Sequence, residues 1–468
     1  MRNPSKSIAV VAVLLVDLLL GGPAAAHDSL RERIEAFVRA EQRRQSVPGL
    51  AVGVVSHGRV VLAKGYGFAN LEHQVPVETD TLFQSGSVGK MFTAMTVMLQ
   101  VESGRLALSD SITKYFPDAP ATWRPITLRH LLTHTSGVGD IYDVLDPRQD
   151  YTDADYRQLA YGRPLQFPAG LRWSYSNTGY VLLGVLVNQV AGTSYVNVLG
   201  SQVFRPAHMK TARGISEEDV ILNRASGYSV VNGVVKNQVW VSPSLNRNAD
   251  GSLYFSLKDV LAWDAAVDQR AILGRGSWQQ ILTPVKLNSG ASYPYGFGWT
   301  IKERAGKPQH QHAGSWQGFV SVYSRFLGDE LSIVVLMNSN TANPTTFVDG
   351  IAAIVNPALA VPPLAPIPDG EPAMTARFRA ILEQLRNGTL DPADFAYIPS
   401  WFFPEEVPYY QDLLQDLGPA GPLVLAKREV LGDDRVYTYL VKFGAATWRY
   451  KVGIIPDGRV TGLGLQKD

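Results

Sequence analysis

The chain has 468 residues, 46% of them hydrophobic, and contains no cysteine. Lys and Arg number 43 against 42 Asp and Glu, so the formal charge is +1, and only 18% of residues are charged. This composition is too apolar for a disordered protein and lacks the basic footprint of a nucleic-acid binder. It also excludes disulfide frameworks, cysteine nucleophiles, zinc-thiolate sites and iron–sulfur clusters. At roughly 150 residues per domain, the length predicts about two or three domains, or one large domain with a small one.

The first segment has the three-part plan of a secretory signal peptide. Arg2 and Lys6 precede an apolar run from Ile8 to Leu20, broken only by Asp17; Gly21-Gly22-Pro23 interrupts it, and Ala24-Ala25-Ala26 fits an A-x-A cleavage site. Residues 1–26 are therefore expected to be removed on export to a periplasmic or extracellular space. No later stretch reaches eighteen consecutive apolar residues, so no stable membrane anchor is expected after the leader is lost.

Leu30, Ile34, Phe37 and Val38 recur at helical spacing within 28–44. Leu50–Ser56 and Arg59–Gly67 are apolar, β-branched runs joined by His57-Gly58, a hairpin signal. After Gly86 the pattern turns helical, through Met91, Phe92, Met95 and Met98. The middle, about 90–285, reads mostly as helix and loop. Strand patterns return at Gly298–Lys302, Gly318–Phe326 and Leu331–Met337, the last two joined by a turn at Gly328-Asp329-Glu330. Strands, then helices, then strands predict an α+β domain. Its two ends meet in one antiparallel sheet, flanked by helices and by an inserted helical region.

Six prolines between 357 and 372 read as a stiff linker. Beyond it, an amphipathic helix at Ala373–Arg386 and strand-like runs near Leu423–Glu429, Arg435–Phe443, Thr447–Ile454 and Arg459–Leu465 predict a small α+β domain of about 95 residues. The expected division is leader 1–26, main domain 27–356, linker 357–372 and accessory domain 373–468.

Three elements carry chemistry. Ser87-Val88-Gly89-Lys90 puts a hydroxyl and an amine one helical turn apart. A second Ser-x-x-Lys, Ser111-Ile112-Thr113-Lys114, runs into Tyr115-Phe116-Pro117, which ends any helix. Ser87 instead follows a loop ending and opens a long apolar helix. The helix dipole there favours negative charge on a nucleophile or oxyanion. Tyr175-Ser176-Asn177 lies on a loop between a Phe-Pro-Ala-Gly turn and an apolar helix, where a phenol relays protons and an amide orients substrate. His312-Ala313-Gly314-Ser315 opens the last strand region, with a glycine that permits close backbone approach. His130 and His134 have metalloprotease spacing without the glutamate base and read as packing and hydrogen-bonding residues.

In this order, the three elements resemble the serine β-lactamase and penicillin-binding family. The similar branch is that of class C β-lactamases, D-alanyl-D-alanine carboxypeptidases, D-aminopeptidases and family VIII esterases. Leu128–Gly137 (LRHLLTHTSG), Phe167–Gly170, Arg205-Pro206 with Met209, and Tyr295–Trp299 (YGFGW) support the likeness, which covers about 30–355. It implies a β-lactamase/transpeptidase-like fold and an acyl-enzyme on Ser87. Lys90 and Tyr175 are implied as the proton-transfer pair, and Asn177 as a contact to the substrate amide. His312 is implied in the place of the KTG lysine, with Gly314 beside it, and the backbone N–H groups of Ser87 and Ser315 as an oxyanion hole. No metal or organic cofactor is implied. The expected substrate is a small ester, a β-lactam or a D-amino-acid peptide. His312 need not be cationic at neutral pH, and Ala313 lacks a hydroxyl, which favours ester or amide hydrolysis over potent β-lactam hydrolysis. The alternative is a non-catalytic penicillin-binding or sensing module with the same fold.

Overall fold

The structure, a computed structural model, describes residues 23–467 apart from 232 and 399–401. The expected leader thus lies outside the described residues, except for its last four. These four begin helix α1 (Pro23–Arg44).

A seven-stranded antiparallel sheet joins the two ends of the main domain, as expected. Strands β1 (Gly49–Ser56) and β2 (Arg59–Asn70) form the N-terminal hairpin. Its turn holds His57 and Gly58 at φ +50° and +70°, the left-handed pair a two-residue hairpin turn needs. Strands β3 (Thr300–Arg304), β4 (Lys307–Trp316), β5 (Phe319–Phe326) and β6 (Leu331–Met337) come from the other end. The sheet order is β3-β4-β5-β6-β1-β2, closed by the short Val75–Pro76 strand. Leu50 faces Met337 and Ser56 faces Leu331, so β1 and β6 pair along their whole length.

Period-two alternation sends side chains into two cores. On one face Leu50, Val52 and Val54 of β1 join Ile333 and Val335 of β6, beneath α1 and helix α5 (Pro344–Val355). On the other face Ala51, Val334 and Leu336 meet the helical region. That region is built on α2 (Lys90–Glu102), α3 (Asn177–Ala191) and α4 (Leu257–Asp268). It is mostly helix and loop, but short strands interrupt it: a three-stranded sheet of 82–84, 253–256 and 213–214, and an antiparallel pair of 228–231 with 234–237. Among the described residues no single helix is long and apolar enough to cross a membrane.

After the proline-rich stretch, helix α6 (Pro372–Asn387) and helix α7 (Val407–Leu417) pack with a four-stranded antiparallel sheet. Its strands are β7 (Val424–Leu431), β8 (Asp434–Phe443), β9 (Ala446–Ile454) and β10 (Val460–Lys467). This tail has its own core, with Phe378 and Leu382 of α6 against Tyr439, Tyr450 and Ile454.

Candidate active site

Ser87 sits on a tight 3-10 turn, Gly86–Gly89, that runs directly into α2 at Lys90. Glycines let three pieces of backbone converge on it. A Cβ at Gly86 (φ +46°) would fall 2.5 Å from the Ser315 nitrogen; one at Gly314 would fall 2.6 Å from the Ser87 nitrogen and 2.3 Å from the Ser85 carbonyl oxygen. A Cβ at Gly89 would fall 2.7 Å from the Cα of Gly251, so this unusual glycine at a helix start serves close packing. Side chains alternate along β4: His312 and Gly314 are buried, Ala313 and Ser315 exposed. Ser321 Oγ donates to the Ser85 carbonyl at 2.6 Å, fixing the turn to β5.

The Lys90 side chain is fully buried. A buried amino group is costly unless its polar atoms find partners. Three oxygens surround the Lys90 nitrogen: Ser87 Oγ at 3.1 Å, Asn177 Oδ1 at 2.8 Å and the Asp250 carbonyl at 2.6 Å. Its Nζ also lies 4.8 Å from the centre of the Tyr175 ring. The first two sequence elements therefore meet at one nitrogen. Asn177 is placed by its position at the start of α3, where Ser176 caps the helix and Asp140 accepts the Asn177 N–H at 3.0 Å. Burial raises the Asp140 carboxyl above its ordinary range, opposed by N–H groups of Tyr142 and Asn177. Tyr142 donates its hydroxyl to Asp250 Oδ2 at 2.9 Å, and burial raises the Asp250 carboxyl as well.

His312 belongs to a directed hydrogen-bond chain. The Ser176 N–H can only donate, so His134 Nδ1 accepts it at 3.1 Å and His134 carries its proton on Nε2. That proton goes to the Tyr295 oxygen at 3.1 Å. At the far end the Ala313 carbonyl can only accept, so His312 donates from Nδ1 at 2.6 Å, and its Nε2 accepts the Tyr295 O–H at 2.9 Å. Both imidazoles are neutral in this arrangement. Burial, reinforced by the Lys90 charge, pushes His312 down to about 3 and His134 well below its usual range. The His134 ring lies 4.3 Å from the Tyr175 ring, centroid to centroid, and so backs the phenol of the second element.

A cavity of about 120 Å³ opens above Ser87, lined also by Tyr142, Tyr175, Asn177, Ser315 and Trp316. Tyr142, Tyr175 and Asn177 also line a larger cleft of about 480 Å³. A half-buried hydroxyl on a helix start, an amine beside it, and converging backbone N–H groups next to a small cavity form the arrangement acyl transfer needs.

Residues 34–355 match the family model described as Beta-lactamase. The chain belongs to that family. It is 28% identical over 302 residues to penicillin-binding protein 4* of Bacillus subtilis (strain 168), covering 60% of this chain and 66% of that protein. It is 29% identical over 347 residues to a D-aminopeptidase of Gluconobacter oxydans (strain 621H), covering 72% and 63%. The chain thus spans just under two thirds of the length of these curated relatives. Among solved structures it resembles the D-amino acid amidase from Ochrobactrum anthropi SV3 complexed with L-phenylalanine amide (TM-score 0.63, 24% identity, 70% of this chain and 99% of that one). It also resembles the octameric penicillin-binding protein homologue from Pyrococcus abyssi (TM-score 0.63, 21% identity, 93% and 98%). The latter likeness is one of fold and extends into the tail.

Within this β-lactamase-family site, Ser87, Tyr175, Asn177 and Ser315 line one cavity, with Lys90 hydrogen-bonded to Ser87 and Asn177 and Gly314 packed against the Ser87 nitrogen. His312 lies beneath Tyr175, ring centres 6.3 Å apart, with both nitrogens engaged. The second Ser-x-x-Lys stands apart: Ser111 caps a single turn and Lys114 pairs with Asp110. Sequence reasoning gave His134 a packing and hydrogen-bonding role, which the buried ring has; it named Tyr295 only within a supporting stretch, and it missed Asp140, Tyr142 and Asp250. The Asn248-Ala249-Asp250-Gly251 stretch carries a turn signal that points to Asp250.

Proposed function

We propose that this chain is an exported serine hydrolase that forms an acyl-enzyme on Ser87 and hydrolyses small esters or amides, D-configured aminoacyl compounds foremost. The observation that carries the reading is the Lys90 side-chain nitrogen, buried among Ser87 Oγ, Asn177 Oδ1 and the Asp250 carbonyl. In the attack Lys90 acts as the neutral amine: its Nζ accepts the Ser87 proton as Ser87 Oγ bonds to the substrate carbonyl carbon, and Tyr175 relays that proton toward the leaving group. The oxyanion is held by the N–H groups of Ser87 and Ser315, and the leaving group departs with the proton. Water then adds to the acyl carbon and releases Ser87. The D-aminopeptidase and D-amino acid amidase relatives support the amide reading. The neutral, fully engaged His312 supports it over β-lactam hydrolysis, because it supplies no cation for a β-lactam carboxylate. Export rests on the leader-like residues 1–26.

The test is labelling with a fluorophosphonate probe, with turnover of p-nitrophenyl esters, D-alanyl amides and nitrocefin measured in parallel. Wild type takes up the probe, and Ser87→Ala abolishes it. Labelling that survives this substitution sinks the assignment, and a stable penicilloyl adduct without turnover of any substrate selects the binding-module alternative.

A further inference from the structure

The 480 Å³ cleft beside Ser87 is not built by the main domain alone. One side is Trp173, Tyr175, Asn177 and Tyr142; the other is Tyr397, Leu431, Asp434, Val436 and Thr461 of the tail. Its size is that of a small-molecule site. The turn between β7 and β8 reaches the cleft and is held there by several contacts of different kinds. Asp434 Oδ2 pairs with Arg172 Nη2 at 2.6 Å, with 19% and 10% of the two side chains exposed. The Arg172 guanidinium lies 4.4 Å above the Tyr397 ring. Thr461 Oγ1 donates to the same carboxylate oxygen at 3.3 Å, and the Gly432 N–H reaches the Ser292 carbonyl at 3.3 Å. Gly432, at φ +62°, lies so close to Leu287 that an added Cβ would be 2.8 Å from its Cδ1. Arg172 precedes Tyr175 by three residues on the same loop, and the intervening Trp173 stacks on Tyr293 at 4.1 Å. The tail therefore grips the loop that carries the second catalytic element.

We propose that Leu431–Asp434, with Tyr397, is the far wall of the substrate cleft. The wall limits the enzyme to compounds whose acyl group or leaving group ends, on that side, within the cleft. The inference rests on Ser87 as nucleophile and names the substrate class of that site: short molecules with a partly apolar end, hydrolysed from the terminus. A longer chain has to displace Leu431 and Val436 and break the Arg172–Asp434 pair, which little water reaches to replace.

Two substrate series test this on the full chain. One lengthens the acyl group, from p-nitrophenyl acetate to octanoate; the other lengthens the leaving group, from D-alanine amide to D-alanyl peptides. The readout is the ratio of kcat/KM for the longest member to the shortest, which a general loss of activity does not move. Leu431→Ala and Asp434→Ala raise that ratio at least about tenfold in one series, which identifies the half of the substrate against the tail. Asp434→Asn gives a smaller rise in the same series. Unchanged ratios in both series overturn the wall. If wild-type Ser87 takes up no probe and turns over nothing, the hydrolase reading has failed. The wall is then decided by hydrogen exchange. Asp434→Ala speeds exchange at the Gly432 amide and in 286–293 at least about tenfold if the tail is seated there, and unchanged exchange refutes it.

Discussion

Tyr295→Phe removes one oxygen from the centre of the histidine chain and nothing else. In the native protein that oxygen accepts from His134 Nε2 at 3.1 Å and donates to His312 Nε2 at 2.9 Å. Phenylalanine leaves one buried N–H and one buried ring nitrogen without partners. Neither ring can escape by changing tautomer. His134 Nδ1 is committed to the Ser176 N–H, and His312 Nδ1 to the Ala313 carbonyl. Each unsatisfied buried group costs about 1–3 kcal/mol, so the variant loses about 2–6 kcal/mol of stability. A disturbed His134 ring also shifts Tyr175, which it contacts at 4.3 Å, so kcat falls more than KM rises. The assay is urea denaturation at neutral pH with p-nitrophenyl ester kinetics on the same preparation. A midpoint unchanged within about 0.5 kcal/mol, with native kcat, refutes the directed chain.

Two further outcomes are expected. Gly314→Ala places a Cβ 2.6 Å from the Ser87 nitrogen and 2.3 Å from the Ser85 carbonyl oxygen, both backbone atoms with no room to yield. It lowers kcat at least about 100-fold through the displaced oxyanion donors, while circular dichroism remains native; retention of a tenth of wild-type activity contradicts the packing. Stability falls on acidification because His312, held at about 3, stays neutral in the native state while the unfolded chain binds a proton below about 6.5. Between pH 6.5 and about 4.5 this amounts to about 2 kcal/mol, and His134 acts in the same direction. Urea midpoints across that range should fall less steeply in His312→Gln, and parallel curves refute the assignment.

The sequence carried the strands β1 and β6 because both are predominantly apolar, and Leu331–Met337 is bounded as the pattern predicts. It carried the tail strands to within a few residues because runs containing β-branched and aromatic residues are separated there by turn residues such as Gly432, Gly444 and Gly458. β4 was legible only at its end: Gln309-His310-Gln311-His312 looks like a polar loop, yet Gln309 and His312 are buried because each finds a side-chain partner. Helix α7 was missed, and Pro408 at its first turn is tolerated there and only there. Ser87, Lys90, Tyr175 and Asn177 were legible because local spacing and order mark them. The relay was not, since its members lie 161 and 17 residues apart and only the fold brings them together. The contact between Arg172 and Asp434 spans 262 residues and has no local signature at all.

The third element raises a sharper question, whether His312→Lys restores a KTG-type site. The hydrogen-bond chain says that it does not. A lysine ammonium at this place donates only, so the Tyr295 oxygen receives protons from both the introduced lysine and His134, and the Tyr295 O–H then has no acceptor. The new charge also lies close enough to Lys90 for repulsion, since Lys90 already depresses the imidazole it replaces. One unsatisfied donor costs about 1–3 kcal/mol, and an unpaired ammonium in this buried setting adds to it. His312→Lys therefore loses stability at neutral pH and gains less than about tenfold in kcat/KM for nitrocefin. Tyr295→Phe costs less stability in the His312→Lys background than in the native chain, because the O–H it removes has already lost its acceptor there. Stability losses that simply add in the double variant, or a large gain in nitrocefin turnover from His312→Lys by itself, show that the histidine is not tied to its partners in the way the geometry requires.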